Sequence, residues 1–392
     1  MKGNKYLIGY VDNGYPSFRM IYKKIKGVDY IKISGKNDMR YAFFHICSKL
    51  LKNCIIEKKR EIYAYQYNPF IKKEIDVIHI FNGICQNKRV NWVSTFEAQC
   101  PVYLNYSDIL YRNIIINAVE KIKMNNCKAI LFMSEWSKNK TLLYWNKLIP
   151  DIDYRKCINK MLVLPPPQEV LINKDEIIDK FNDIDNMEFV FVGNDFWRKG
   201  GMELLHILNK YATDYNFKLT IISNLSYTKY YTLSTHKDER EVVEKYINDR
   251  NWIDLKSELK NEEVLKILKK SHIGFLPTYA DTYGFSVLEM QAAGCPVVTT
   301  DVSALKEINN NDVGWIMETD INYMDEKYEQ KMQKKILENL DKIMFEILNC
   351  KSDELKNKAF NAVNKIKNVN SPQMYEKKLF EVYNKNMENM NE

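Results

Sequence analysis

Residues 272–301 read HIGFLPTYADTYGFSVLEMQAAGCPVVTTD, and they leave the chain few folds to choose from. The apolar run 272–276 has the length of a buried strand and is closed by Pro277. A polar turn leads to Gly284, and the helical run 285–293 is stopped by Gly294 and Pro296. Residues 295–299 supply another short buried strand. A strand that passes through a helix to a further strand is the repeating unit of a parallel sheet with helices on its faces.

The rest of the 392 residues repeats this alternation. In the first half, strands are expected at 5–11, 30–33, 76–81, 92–96, 127–133 and 161–164, with helices at 111–124 and from Ser134 onward. In the second, strands at 188–192 and 217–223 alternate with helices at 202–211 and 262–270. Residues 165–187, a triple proline followed by a polar charged segment, read as a linker. From about residue 328 the chain is Lys/Glu-rich and helical, and Ser371-Pro372 opens a last helix. Its Met374, Leu379, Phe380, Val382 and Tyr383 need a surface to pack on. The expected class is α/β: two tandem Rossmann-like, doubly wound parallel sheets, at 1–170 and 186–370, with a terminal helix at 371–392.

Chemistry concentrates at two turns. Gly284 falls at the start of the helix 285–293, where unpaired N–H groups and the helix dipole favour an anion and a glycine lets a phosphate approach the backbone. Glu289, about one turn inside, offers the two acceptor oxygens that a diol such as a ribose needs. Strand, phosphate-accepting turn and carboxylate read together as a nucleotide-sugar site. The second turn is Phe191-Val192-Gly193-Asn194-Asp195-Phe196-Trp197-Arg198-Lys199-Gly200-Gly201. Its two cations would stabilise the charge that grows on a departing nucleoside diphosphate. Ligands of open α/β sheets sit beyond the carboxyl ends of strands, and 12–16, Glu97, 193–201 and 281–289 all hold such positions.

Asp281-Thr282-Tyr283-Gly284-Phe285-Ser286-Val287-Leu288-Glu289, with Ala292, Gly294 and Pro296 in register, resembles the acidic-x7-acidic motif of retaining family-4 glycosyltransferases, the group 1 glycosyl transferases. Asp281 stands where that family usually has Glu. The basic turn resembles the same family's pyrophosphate loop, with Asn194 where many members place Arg directly after the glycine. The resemblance is strong over about residues 188–310 and only architectural before that. It implies a GT-B fold, with two Rossmann-like domains facing a central cleft, the first binding acceptor and the second nucleotide sugar. It implies retention of anomeric configuration, with no metal and no cofactor beyond the nucleoside-diphosphate sugar itself. It places Arg198 and Lys199 on the diphosphate together with Gly193, and Tyr283, Gly284, Phe285 and Ser286 at the same donor. Glu289 falls on the ribose and Asp281 on the donor sugar. Trp92-Val93-Ser94-Thr95-Phe96-Glu97 resembles the family strand that ends beside the reacting sugar, so Glu97 is a catalytic candidate, or else a simple cap of the next turn. The acceptor would be a glycan, a lipid-linked sugar or another hydroxyl compound, as in bacterial surface polysaccharide or glycoconjugate synthesis. A sugar-nucleotide epimerase of the same fold and a non-catalytic nucleotide-sugar binding protein are the rival readings.

Other residues read more plainly. His79, inside an apolar strand, is expected to be a satisfied core histidine, and Ser134 or Ser137 a helix cap. Asp151-Ile152-Asp153 and Asp183-Ile184-Asp185 mimic a metal-binding D-x-D, but neither follows a convincing buried strand. No His/Cys/carboxylate spacing asks for a metal. Fifty-eight Lys and Arg against 51 Asp and Glu give a net +7, too little to argue for nucleic acid. The eight cysteines have no C-x-x-C pair and suit a reduced, cytoplasmic protein. A strand starting within the first residues leaves no room for a leader, and no apolar run is long enough to span a bilayer. Residues 40–60, RYAFFHICSKLLKNCIIEKKR, mix apolar and basic residues. Such a helix either covers the sheet, leaving its cations as the solvated face, or lies peripherally on the inner face of the cytoplasmic membrane.

Overall fold

The computed structural model describes residues 6–11, 25–33, 39–51, 56–57, 59–60, 63, 65–69, 74–102, 107–182, 184–227, 239–321 and 327–384. The expected turn 12–16 and Asp183 lie outside these residues. The chain divides into two compact units, Met1–Pro167 with Pro372–Glu392, and Gln168–Ser371.

In the first unit the elements run β1 (Tyr6–Val11), β2 (Val28–Ile33), α1 (Met39–Leu51), β3 (Gln66–Tyr67), β4 (Val77–Phe81), β5 (Ile84–Cys85), β6 (Trp92–Phe96), α2 (Asp108–Lys123), β7 (Cys127–Phe132), α3 (Glu135–Leu148), α4 (Arg155–Ile158) and β8 (Met161–Val163). The main sheet is ordered β2-β1-β4-β6-β7-β8 with every pairing parallel, and β3-β5 form a small side pair. Every residue of β4 and β6 is buried, as central parallel strands covered on both faces require. Tyr111, Ile115, Val119 and Ile122 recur at helical spacing along α2 and face this core. Ser134 caps α3, accepting the Ser137 N–H at 3.1 Å. His79 on β4 is fully buried between Tyr383 Oη at 2.6 Å and Thr95 Oγ1 at 2.7 Å, and burial pulls its pKa down to about 3. Helix α1 departs from the covering-helix reading. Phe43, Ile46, Leu50 and Leu51 are turned to solvent, and Ser48 alone among its described side chains is buried.

The second unit runs α5 (Lys174–Lys180), β9 (Met187–Val192), α6 (Gly201–Tyr211), β10 (Phe217–Ile222), α7 (Glu239–Asn248), β11 (Ile253–Lys256), α8 (Asn261–Lys270), β12 (Ile273–Leu276), α9 (Phe285–Ala292), β13 (Val297–Thr300), α10 (Leu305–Ile308), β14 (Gly314–Met317), α11 (Tyr328–Asn349) and α12 (Ser352–Val369). Its parallel sheet is ordered β11-β10-β9-β12-β13-β14. Phe189, Phe191 and Phe275 fill the centre, each burial contributing about 1.5–3 kcal/mol. Residues 168–187 are not a linker. Asn173 and Glu176 form a reciprocal cap on α5, at 3.0 and 2.8 Å, and Ile172, Ile177 and Phe181 are buried in this core. Lys174, Asp175, Glu176 and Asp179, part of the polar run that suggested a linker, are the exposed face of that helix.

The last helix, α13 (Pro372–Asn384), belongs to the first unit, where Tyr375, Leu379, Val382 and Tyr383 are buried and Phe380 meets the Tyr6 ring edge-on at 5.6 Å.

Candidate functional site

In the second unit the strand order reverses between β9 and β12. From β9 the chain moves outward to β10 and β11, then returns to β12 on the other side. In open α/β sheets ligands sit at such a reversal, beyond the carboxyl ends of the strands. The loop after β9 carries Gly193, Arg198 and Lys199, and the loop after β12 carries Asp281 and Gly284.

Short contacts stitch these loops together. The carbonyl of Arg198 accepts from the Tyr279 N–H at 2.9 Å and the Thr278 hydroxyl at 3.1 Å. The Arg198 guanidinium is itself engaged, donating to the Asp195 carboxylate and to the Ala280 carbonyl. Gly200 is left-handed at φ +78°, and a Cβ there would lie 2.0 Å from the Pro277 oxygen, so no other residue fits between the loops.

Lys199 also reaches the second loop. Its stem lies over Gly193, where a Cβ would come 2.3 Å from Lys199 Cδ. Its ammonium stands 3.7 Å from Asp281 Oδ2. Burial raises the pKa of Glu289 to about 7, and Lys199 pulls it back down. Lys199 therefore sits within the field of two carboxyl groups. Asp281 Oδ1 accepts from the Tyr283 N–H at 3.2 Å, a local turn that hands the chain to Gly284 at φ +90°.

Helix α9 starts without a side-chain cap and without an acidic residue in its first turn. Among the described residues no acceptor meets the N–H groups of Phe285 and Ser286, and the Ser286 hydroxyl is buried without a partner. Unpaired donors at a helix N-terminus favour an anion. The far end of the helix is anchored: Lys180 donates to the Ala293 carbonyl at 2.9 Å, a cation on the negative end of the dipole. Tyr283 turns inward, its hydroxyl bonded with Asn370, so only its backbone faces the turn. The arrangement joins Gly193, Lys199, Asp281, Gly284, Phe285, Ser286 and Glu289 in one site able to hold an anion beside carboxylate acceptors.

Glu97 lies in the first unit, buried at the end of β6, its N–H donating to Asn82 Oδ1 at 3.1 Å. Of the D-x-D mimics, Asp151 and Asp153 are taken up by Arg112 and Arg155, each at 3.0 Å, on an exposed surface. Among the described residues no group of three or more His, Cys, Asp or Glu is placed to hold a metal, and no helix is long and apolar enough to cross a membrane. Asp195, Thr278 and Tyr279, which join the loops, carry no motif of their own. Only the i,i+3 spacing of Asp195 and Arg198 hints at their pairing.

Residues 173–342 match the family model of glycosyl transferases group 1. No curated protein sequence matches the chain. Among solved structures, a glycosyltransferase from Rickettsia africae is 16% identical, covers 98% of this chain and 100% of its own, and superposes with a TM-score of 0.58. HepE from Anabaena, solved in complex with UDP, is 10% identical over 97% and 100%, with a TM-score of 0.58. Sucrose-phosphate synthase from Thermosynechococcus elongatus is 11% identical over 97% and 98%, at 0.56. The fold is that of the GT-B glycosyltransferases, and the chain, with a group 1 glycosyl transferase domain in its second unit, is a glycosyltransferase.

Proposed function

We propose that this glycosyltransferase moves a sugar, with retention of anomeric configuration and without a metal, from a nucleoside-diphosphate sugar to a hydroxyl of a glycan or lipid-linked acceptor. The observation that carries the donor assignment is the placement of Lys199 beside Asp281 and Glu289, next to the uncapped start of α9. Lys199, the N–H groups of Phe285 and Ser286 and the Ser286 hydroxyl hold the diphosphate and take up charge as the glycosidic bond breaks. Gly193 and Gly284 let its oxygens approach the backbone. Glu289 accepts from the ribose hydroxyls, and Asp281 from the donor sugar. Arg198, occupied by Asp195 and Ala280, adds positive charge while fixing where Lys199 stands. Catalysis then rests on positioning and leaving-group stabilisation. Glu97 is the proposed carboxylate on the acceptor side. HepE from Anabaena holds UDP, which makes uridine diphosphate the first nucleotide to try.

A lipid-linked acceptor, as in bacterial surface polysaccharide or glycoconjugate synthesis, would go with peripheral membrane contact through 40–60. Two features support that contact. Phe43, Ile46 and Leu50 form an exposed apolar stripe along α1. The segment carries six Lys and Arg against one Glu, which suits an anionic bilayer and would repel a second copy of the same face.

The test is to incubate the protein with UDP-, GDP- and ADP-sugars and a panel of hydroxyl acceptors. Released diphosphate is followed, and the anomeric proton coupling of the product is read by NMR. An inverted product would sink the stereochemical claim. Conversion of donor without acceptor would mark an epimerase, and binding without turnover a binding protein.

A further inference from the structure

We propose that Tyr279 and Glu203 are a positioning pair that sets the separation of Lys199 and Asp281, an inference that rests on the donor site described above. Neither side chain belongs to the basic or the acidic motif. Tyr279 lies two residues before Asp281, and Glu203 four residues after Lys199 in the first turn of α6. The Tyr279 hydroxyl donates to Glu203 Oε1 at 2.7 Å. The chain segments that carry the two charged groups, already joined through Arg198 and by the 3.7 Å contact of Lys199 with Asp281, are thus tied by a further pair of buried side chains.

Tyr279 is held in three directions. Its hydroxyl reaches α6, its N–H reaches the Arg198 carbonyl at 2.9 Å, and its carbonyl accepts from the Tyr328 hydroxyl at 2.7 Å. Glu203 Oε1 accepts in addition from Gln333 Nε2 at 3.1 Å. Tyr328 and Gln333 both come from α11, so that helix braces the pair. Tyr279, Tyr328, Met332 and Ile336 form their own buried cluster beneath it. In such surroundings a hydrogen bond to a carboxylate is stronger than in water, and losing it strands a buried acceptor. Burial, with the neighbouring Glu203, pushes the Tyr279 hydroxyl far above the ordinary tyrosine value, so it stays protonated and a donor. Among the described residues Glu203 Oε2 is buried without a partner, and the hydrogen bonds of this carboxylate fall on Oε1. A clasp of this kind acts through the residues it places. A displacement of about 1 Å at a reacting group can cost on the order of a hundredfold in rate.

The experiment compares Tyr279→Phe, Glu203→Ala and Glu203→Gln with wild type by kcat, donor KM, thermal midpoint and amide exchange of residues 198–200 and 278–284. Tyr279→Phe removes one oxygen from a buried ring and is the variant most certain to fold. The expected result is a fall in kcat of about tenfold for Tyr279→Phe and Glu203→Ala, with donor KM changed less than about threefold. Amide exchange should rise in both loops and not elsewhere. Glu203→Gln, which keeps an acceptor oxygen for Tyr279, should restore most of the rate. The double variant Tyr279→Phe/Glu203→Ala should be no slower than either single one. A lower thermal midpoint with unchanged kcat and unchanged loop exchange would make the pair merely structural and overturn the proposal. Should wild type itself turn over no donor, the functional reading fails separately. The exchange arm then decides alone, and loops that exchange no faster in the variants overturn the clasp.

Discussion

The ammonium of Lys199 stands 3.7 Å from Asp281 Oδ2, with their side chains only 19% and 14% exposed, and the same cation lowers the pKa of Glu289 against the effect of burial. Three groups from two loops and a helix thus share one electrostatic site. Glu289 still titrates at about 7 instead of 4.5, so near pH 6.5 it is largely protonated in the empty protein. Ribose hydroxyls donating to it favour the carboxylate and lower that value. Binding of a nucleoside diphosphate near pH 6.5 should therefore release up to about one proton, and affinity should rise with pH through this window. Calorimetry in buffers of different ionisation heat measures the release. Glu289→Gln should release fewer protons than wild type, the remainder coming from the terminal phosphate, whose second pKa is about 6, and an equal release by both would count against the ribose contact.

Ser286 separates a ligand role from a structural one. Its buried, unpartnered hydroxyl costs the empty protein about 1–3 kcal/mol until something meets it. Ser286→Ala should leave the thermal midpoint unchanged or higher while weakening diphosphate binding about fivefold to tenfold. A lower midpoint with unchanged affinity would mean that the hydroxyl serves the fold.

Acid should destabilise both units. His79 and His272 titrate at about 3 and about 4 because they are buried, against about 6.5 in an unfolded chain. Between those values the unfolded state binds the extra protons. The histidines' contribution is complete above about pH 6.5 and is lost as pH falls, each at up to ~1.4 kcal/mol per pH unit. Glu289 has the opposite sign from about 7 down to 4.5, since its carboxyl is protonated first in the folded state. Urea midpoints at about pH 7 and pH 5 should therefore fall more steeply in Glu289→Gln than in wild type. Equal or gentler slopes would contradict the assignment.

Phe43, Ile46 and Leu50 are 61%, 58% and 76% exposed on α1. Co-sedimentation with vesicles containing phosphatidylglycerol should retain the protein, vesicles of phosphatidylcholine alone should not, and added salt should weaken the binding. Phe43→Ser/Ile46→Ser/Leu50→Ser should abolish it at an unchanged thermal midpoint. A triple variant that still binds, or wild type that dimerises and ignores vesicles, would remove this surface from the account.

Much of this architecture was legible because central strands such as 76–81 and 92–96 are short stretches rich in apolar, β-branched and aromatic residues, and because both site turns carry a glycine between a strand and the following helix. What stayed hidden has physical causes. Strands β11, Ile-Asp-Leu-Lys, and β14, Gly-Trp-Ile-Met, are too short for a period to emerge. Helix α5 looked like a linker since its capping pair and outward charges outnumber Ile177 and Phe181. The engagement of Arg198 by Asp195 and Ala280 and the meeting of Tyr279 with Glu203 are tertiary facts, visible only once the two loops are brought together. The solvent-facing stripe of α1 was equally beyond a reading of one helix. Amphipathicity shows that there are two faces and not which of them is covered.

The most direct test of the donor site is calorimetric titration of UDP, GDP and ADP, without metal, into wild type and Lys199→Ala. One diphosphate should bind wild type and bind Lys199→Ala at least about thirtyfold more weakly, a loss of ~2 kcal/mol or more for a charge-assisted contact. If no diphosphate binds, or if Lys199→Ala binds as well as wild type, the site built around Lys199, Asp281 and Glu289 is not a nucleotide-sugar site.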